Sequence, residues 1–115
     1  MRATNAPASR ERRRRRLALA KGFYGARSKL FRTATEAVDR AMRLSTEHRK
    51  LRKREFRQLW IARINAAVRA EGISYSKFIA GLAKAGVALN RKMLSEIAIQ
   101  DPAGFKTIVE IAKNA

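Results

Sequence analysis

The sequence predicts an all-α protein in which an extended, basic helical arm passes through one long helix into a small C-terminal helical bundle. Three observations carry that reading. No Gly or Pro occurs between Ala26 and Gly72, so one helix of about 38 residues, ~57 Å at ~1.5 Å per residue, is the economical account of the middle of the chain. After Gly72, apolar residues recur at helical spacing in three short runs, each preceded by a residue suited to capping a helix. Charge, finally, is divided unevenly. Residues 1–60 hold 19 Lys plus Arg against 5 Asp plus Glu, whereas residues 61–115 hold 8 against 4.

The whole chain of 115 residues has room for one small domain and carries a formal charge of +18 with a pI near 11.7. Self-repulsion on that scale calls for a polyanion. Nucleic acid fits first, because duplex phosphates stand one per ~1.7 Å of axis and their neutralisation releases condensed counterions. An anionic membrane surface fits second, but it requires large apolar groups opposite the basic face, and residues 10–16 have none. The arm prefers Arg to Lys, which suits bidentate contact with phosphate. The absence of Cys excludes a disulfide framework and thiolate metal sites. The apolar patch 17–20 is too short for a signal-peptide core, and no run approaches the ~18 apolar residues of a membrane span. These features point to a cytosolic product, or to an organelle product already stripped of its presequence.

Residues 1–9, with Pro7 and small polar side chains, are expected to form a loose tail. From residue 10 to residue 21 good helix formers predominate, yet Arg12, Arg13, Arg14, Arg15 and Arg16 point all round a helix. Like charges at i,i+4 oppose an isolated helix, so this segment is expected to be helical only among phosphates. Gly22-Phe23-Tyr24-Gly25 then breaks the helix in a basic setting, with aromatics that suit either stacking on bases or packing in a helix–helix turn. Thr33 with Glu36 forms a capping-box pattern for the start of the long helix. Within that helix Ala34, Val38, Ala41 and Met42 make a moderate apolar stripe. Further on, Arg49, Lys53 and Arg57 line one side, and Phe56, Trp60, Ile64 and Ala67 line another.

Beyond Gly72, Ser74 is expected to cap a helix with Tyr75, Phe78, Ile79 and Leu82 on its inner face, ended by Gly86. Asn90 caps the next, with Leu94, Ile97 and Ala98 inward. Asp101-Pro102, a capping residue followed by Pro at the first helical position, opens the last, with Phe105, Ile108, Val109 and Ala112 inward. Together with the Trp60 end of the long helix they form a body of about 55 residues, near the lower limit for a self-sufficient core.

Catalysis finds little support. His48 is the single histidine and sits among charged neighbours on an exposed helix. There is no Ser-His-Asp arrangement, metal-ligand cluster or phosphate-binding glycine loop, so no metal, cofactor or small-molecule substrate is expected. The stretch 78–98 reads as a helix-turn-helix with Arg91 and Lys92 near the start of its second helix, which makes a DNA-binding regulator the alternative. The charge surplus lies outside that motif, however. Structured RNA, whose packed backbones need arginines between them, suits the arm better.

Lys53, Arg57, Leu59-Trp60-Ile61, Arg63-Ile64-Asn65 and Arg69 stand at a specific spacing, as do Lys21-Gly22-Phe23-Tyr24-Gly25-Ala26-Arg27-Ser28, Ser74-Tyr75-Ser76, Phe78-Ile79, Gly81-Leu82 and Asn90-Arg91-Lys92. From about Lys21 onward the chain resembles the twentieth protein of the large subunit of the bacterial-type ribosome. It departs from that pattern in residues 1–9, in the all-Arg run 12–16 and at Ser45, Thr46, Glu47 and His48, where the family usually has aromatics with Arg-Asp. The resemblance implies an arm (1–59) threaded into large-subunit ribosomal RNA and a C-terminal RNA-binding domain (60–115). It also implies an early role in subunit assembly, neighbouring large-subunit ribosomal proteins as partners, and a place on the cytoplasmic ribosome, bacterial rather than organellar. Some members repress translation of their own messenger. Candidate RNA contacts are Arg10 and Arg12 to Arg16 in the first segment, with Lys21, Phe23, Tyr24, Arg27, Lys29 and Arg32 around the turn. Arg49, Lys50, Arg52, Lys53, Arg54 and Arg57 follow in the long helix, and Arg63, Arg91 and Lys92 in the body.

Overall fold

The computed structural model describes residues 2 and 4–115, and among them it contains helices and turns without a strand. Contacts divide the chain into two compact units, residues 1–50 and 51–115.

The first unit begins with α1 (Ala6–Ala18), which starts earlier than the loose tail expected of residues 1–9. Pro7 explains the difference. In the first turn its missing N–H leaves no helical bond unmade and its fixed φ suits the helix, and Ser9 N already donates to Asn5 O at 3.0 Å. The part of that expectation falling on Met1 and Ala3 lies outside the described residues. A short 3-10 turn (Gly25–Ser28) then leads to α2 (Phe31–Ala70), a helix of 40 residues.

Thr33 does not cap α2. The first helical bond runs from Ala34 N to Leu30 O at 2.7 Å, and Thr33 sits half-buried inside the first turn. Packing overrides the local pattern here, because a helix begun at Phe31 turns Ala34 and Val38 onto Ala20, with Leu17 and Phe23 against them. Ala41 and Met42, placed on the same stripe by periodicity, stay exposed. This small cluster holds α1 and the turn against α2, and Arg16 adds an ion pair to Asp39.

The second unit is built on α3 (Tyr75–Lys84), α4 (Arg91–Gln100) and α5 (Pro102–Lys113) around the end of α2. All three expected caps form. Lys77 N donates to Ser74 Oγ at 3.5 Å, Met93 N to Asn90 Oδ1 at 2.9 Å, and Gly104 N to Asp101 Oδ1 at 3.0 Å. α2 ends at Gly72, whose φ of +79° few other residues adopt. Ile73 N bonds back to Val68 O and Gly72 N to Arg69 O, which satisfies carbonyls that a helix end otherwise leaves open. The same pair of bonds ends α3 at Gly86.

Ile64, Val68, Phe78, Leu82, Leu94, Phe105, Val109 and Ala112 form the core. Within it the Phe78 and Phe105 rings meet at 5.7 Å, tilted by 49°, a geometry favoured by their quadrupoles. α3 and α5 approach backbone to backbone, since a Cβ on Gly81 would stand 2.9 Å from the carbonyl carbon of Ala112. Lys113 Nζ donates to Glu71 O at 2.7 Å and so fastens the end of α5 to the end of α2.

Candidate nucleic-acid interface

A helix turns about 100° per residue, so five consecutive arginines in α1 cannot share a face, and their surroundings differ accordingly. Arg14 and Arg15 reach Glu11 at 3.6 and 3.2 Å. Arg16, on the side that meets α2, is engaged by Asp39. Arg13 lies over the Phe31 ring, its guanidinium carbon 6.0 Å from the centroid. Arg10 and Arg12 are exposed and have no acidic partner among the described residues. α1 therefore presents a graded set of cations, freest at Arg10, Arg12 and Arg13 and most committed at Arg16. Arg15 and Arg16 also lie in the last turn, where positive charge complements the helix dipole.

The turn after α1 divides its two aromatics. Phe23 is half-buried against Ala20, Ala34 and Val38, with the Arg27 guanidinium carbon 6.0 Å from its ring centroid. Tyr24 is 93% exposed. Gly22 and Gly25, at φ +89° and +59°, bend the backbone on either side so that the ring of Tyr24 stands clear. An open groove runs beside it, lined by Phe23, Tyr24 and Arg27 together with Arg40, Ala41 and Leu44 of α2. Lys21, Lys29 and Arg32 are exposed nearby in the chain. Arg40 was absent from the sequence-derived candidates. Its spacing three residues after buried Ala37 was the available signal, but recognising it required knowing that the turn folds beside α2. Further along α2, Arg49 donates to Ser45 Oγ at 2.7 Å and to Thr46 Oγ1 at 3.2 Å, which holds its side chain along the helix. Lys50 and His48 are exposed.

In the second unit every residue from 51 to 59 is exposed, so Arg52, Lys53, Arg54 and Arg57 face solvent together with Phe56. Arg52 stacks over Phe56, 5.7 Å from its centroid, and Phe56 meets Trp60 at 6.2 Å with a 38° tilt. Trp60 is half-buried, one turn before fully buried Ile64. The core thus begins where the cationic stretch ends. Arg63 is exposed, as is Lys92 at the start of α4. Arg91 is half-buried, and its Nε donates to Tyr75 Oη at 2.7 Å, a bond that links the starts of α3 and α4. Among the described residues no three His, Cys, Asp or Glu side chains gather as a metal site, and no helix is long and apolar enough to cross a membrane.

Cations thus occur in several separate groups, with aromatics at three of them, α1 where Arg13 meets Phe31, the turn, and the 52–60 stretch. The family model for Ribosomal protein L20 matches residues 2–108. The chain belongs to the ribosomal protein L20 family. It is 61% identical over 112 residues to the large ribosomal subunit protein bL20 of Clostridium acetobutylicum, covering 97% of this chain and 92% of that one. To the protein of the same name from Clostridium botulinum it is 58% identical over 105 residues, covering 91% and 88%. The L20 match extends nearer the N-terminus than the resemblance from Lys21 onward, because a run of arginines identifies little by itself. The family is structural and non-enzymatic, so neither catalysis nor a DNA-binding regulator is the reading that its ribosomal identity favours.

Proposed function

We propose that this chain binds large-subunit ribosomal RNA directly, with residues 1–59 as an arm that neutralises closely packed phosphates and residues 60–115 as the folded domain that anchors it. The observation that carries the reading is the placement of the cations. Arg10, Arg12, Arg13, Arg52, Lys53, Arg54 and Arg57 belong to helices yet contribute nothing to either buried cluster. Exposed charge is ordinary on a protein surface, but none of these seven pairs with a carboxylate among the described residues, and a phosphate lattice supplies the missing counter-charge. The arm's helical order depends on that lattice, and the domain supplies the site preference.

This reading places the chain early in large-subunit assembly, beside other large-subunit ribosomal proteins on a bacterial cytoplasmic ribosome. Binding of its own messenger by the C-terminal domain is the finer extension, which the family resemblance implies and for which exposed Arg63 and Lys92 are available cations. Competition between a structured large-subunit ribosomal RNA fragment and a duplex DNA pool at matched salt tests the proposal. Preference for the RNA is expected. A sequence-specific preference for DNA would reverse it in favour of the helix-turn-helix alternative.

A further inference from the structure

We infer that the groove beside Tyr24 is a receptor for one unpaired nucleobase of the bound RNA, with Tyr24 as its stacking platform and Arg27 and Arg40 as its phosphate and base-edge donors. This deepens the RNA-binding reading above and rests on it.

A tyrosine that is 93% exposed buries almost none of its apolar ring in the protein, although its neighbour Phe23 is packed against Ala20, Ala34 and Val38. The two adjacent aromatics therefore do different work. Phe23, with Arg27 over one face, forms the floor that joins the turn to α2, and Tyr24 leaves a ring face open. The groove next to that ring has Ala41 and Leu44 as apolar wall, Arg27 and Arg40 as cations, and no acidic side chain in its lining. An apolar slot rimmed only by positive charge matches a flat aromatic ligand that carries an anion, which describes a nucleotide. A paired base does not fit, since its two faces are covered by stacked neighbours. The occupant is therefore a base turned out of a loop, bulge or junction, as in other single-strand recognition by aromatic side chains. The charge on Arg27 and Arg40 disfavours an apolar protein segment or a second copy of this chain.

The test uses the full-length protein and two hairpin RNAs of equal length, one with a single 2-aminopurine bulge and one fully paired. Because Tyr24 is exposed, its replacement leaves the Phe23 floor intact. Tyr24→Ala is expected to weaken binding to the bulged hairpin by roughly 5- to 150-fold, the range set by loss of one base–aromatic stack, and to leave the fully paired hairpin unaffected. Tyr24→Phe should retain wild-type affinity and the quenching of 2-aminopurine fluorescence, while Tyr24→Leu should lose the quenching. The salt slope should be unchanged in all three variants, because no phosphate contact is removed. Equal binding of the bulged hairpin by Tyr24→Ala and wild type would overturn the inference, as would equal losses on both hairpins. Salt-dependent binding indifferent to the bulge would overturn this inference alone. Absence of salt-dependent binding to either hairpin would overturn the arm reading as well.

Discussion

Replacing Arg12 and Arg13 together by Gln should change the salt dependence of RNA binding far more than replacing Arg16. The reasoning starts from partners. Arg12 is exposed, Arg13 lies over the Phe31 ring, and neither pairs with a carboxylate among the described residues, so each is free to displace counterions from a phosphate. Arg16 already faces Asp39, with 30% of its side chain exposed, and its charge is spent within the protein. Each phosphate contact contributes about 0.7 to 0.9 to the slope of log affinity against log salt. The double variant should therefore lose about 1.4 to 1.8 of slope, so that over a fourfold rise in salt the wild type loses roughly tenfold more affinity than the variant. Arg16→Gln should leave the slope nearly unchanged and cost no more than about 1 kcal/mol of stability, as for other surface ion pairs. Fluorescence anisotropy with a labelled large-subunit ribosomal RNA fragment, over a series of salt concentrations, measures all three. Equal slopes for wild type and the double variant would refute the assignment of phosphate contacts to α1. A loss of slope with Arg16→Gln as large as half that of the double variant would refute the ranking by internal partners.

Other consequences concern the body and the coupling of the arm to RNA. Ser95 is fully buried and its Oγ has no hydrogen-bond partner among the described residues, so Ser95→Ala should stabilise the chain by about 1 kcal/mol, read as a rise in Tm. Gly81→Ala should destabilise it by about 1 to 3 kcal/mol in a chemical denaturation series, because the new methyl meets the Ala112 backbone; a gain in stability, the usual result of Gly→Ala within a helix, would show that α3 and α5 are not in close backbone contact. Circular dichroism of the free chain at low ionic strength should show a gain in helix when ribosomal RNA is added, and a fully helical N-terminal half without polyanion would contradict the coupling.

Much of the second unit was legible because its signals are local. Ser74, Asn90 and Asp101 cap the helices they precede, and the i, i+3, i+4 stripes of α3, α4 and α5 supply Phe78, Leu82, Leu94, Phe105, Val109 and Ala112 to the core. Val68 was missed although it stands four residues after Ile64, since the stripe through Phe56 and Trp60 was followed to Ala67 instead. Gly81 and Ser95 were illegible for a different reason. Whether a small residue within a helix faces solvent or another backbone depends on which helix crosses it, and that is a property of the packed fold. The first unit shows the opposite failure, because Thr33 and Glu36 make a good local pattern that packing of Ala34 and Val38 displaced. At the site, residue type revealed the cations but not their hierarchy. Nothing local distinguishes Arg12 from Arg16, since the difference lies in Asp39, 23 positions away from Arg16.

The two buried clusters imply different dependences on the partner. The second unit has eight buried core residues, two of them phenylalanines in contact. The first closes over Ala20, Ala34 and Val38, residues with little apolar area to remove from water, while the first 60 residues carry 19 of the chain's 27 cations. Repulsion among those cations acts against so small a cluster and is relieved either by dissolved salt or by phosphates. Salt should therefore act in opposite senses on the same helix. In the free chain it screens Arg10, Arg12 and Arg13 from one another and favours α1. In the complex it competes for the phosphates and weakens the order they impose. An arm held by its own core would respond to salt in the same sense with and without RNA, so the reversal of sign separates an RNA-completed arm from a pre-folded one.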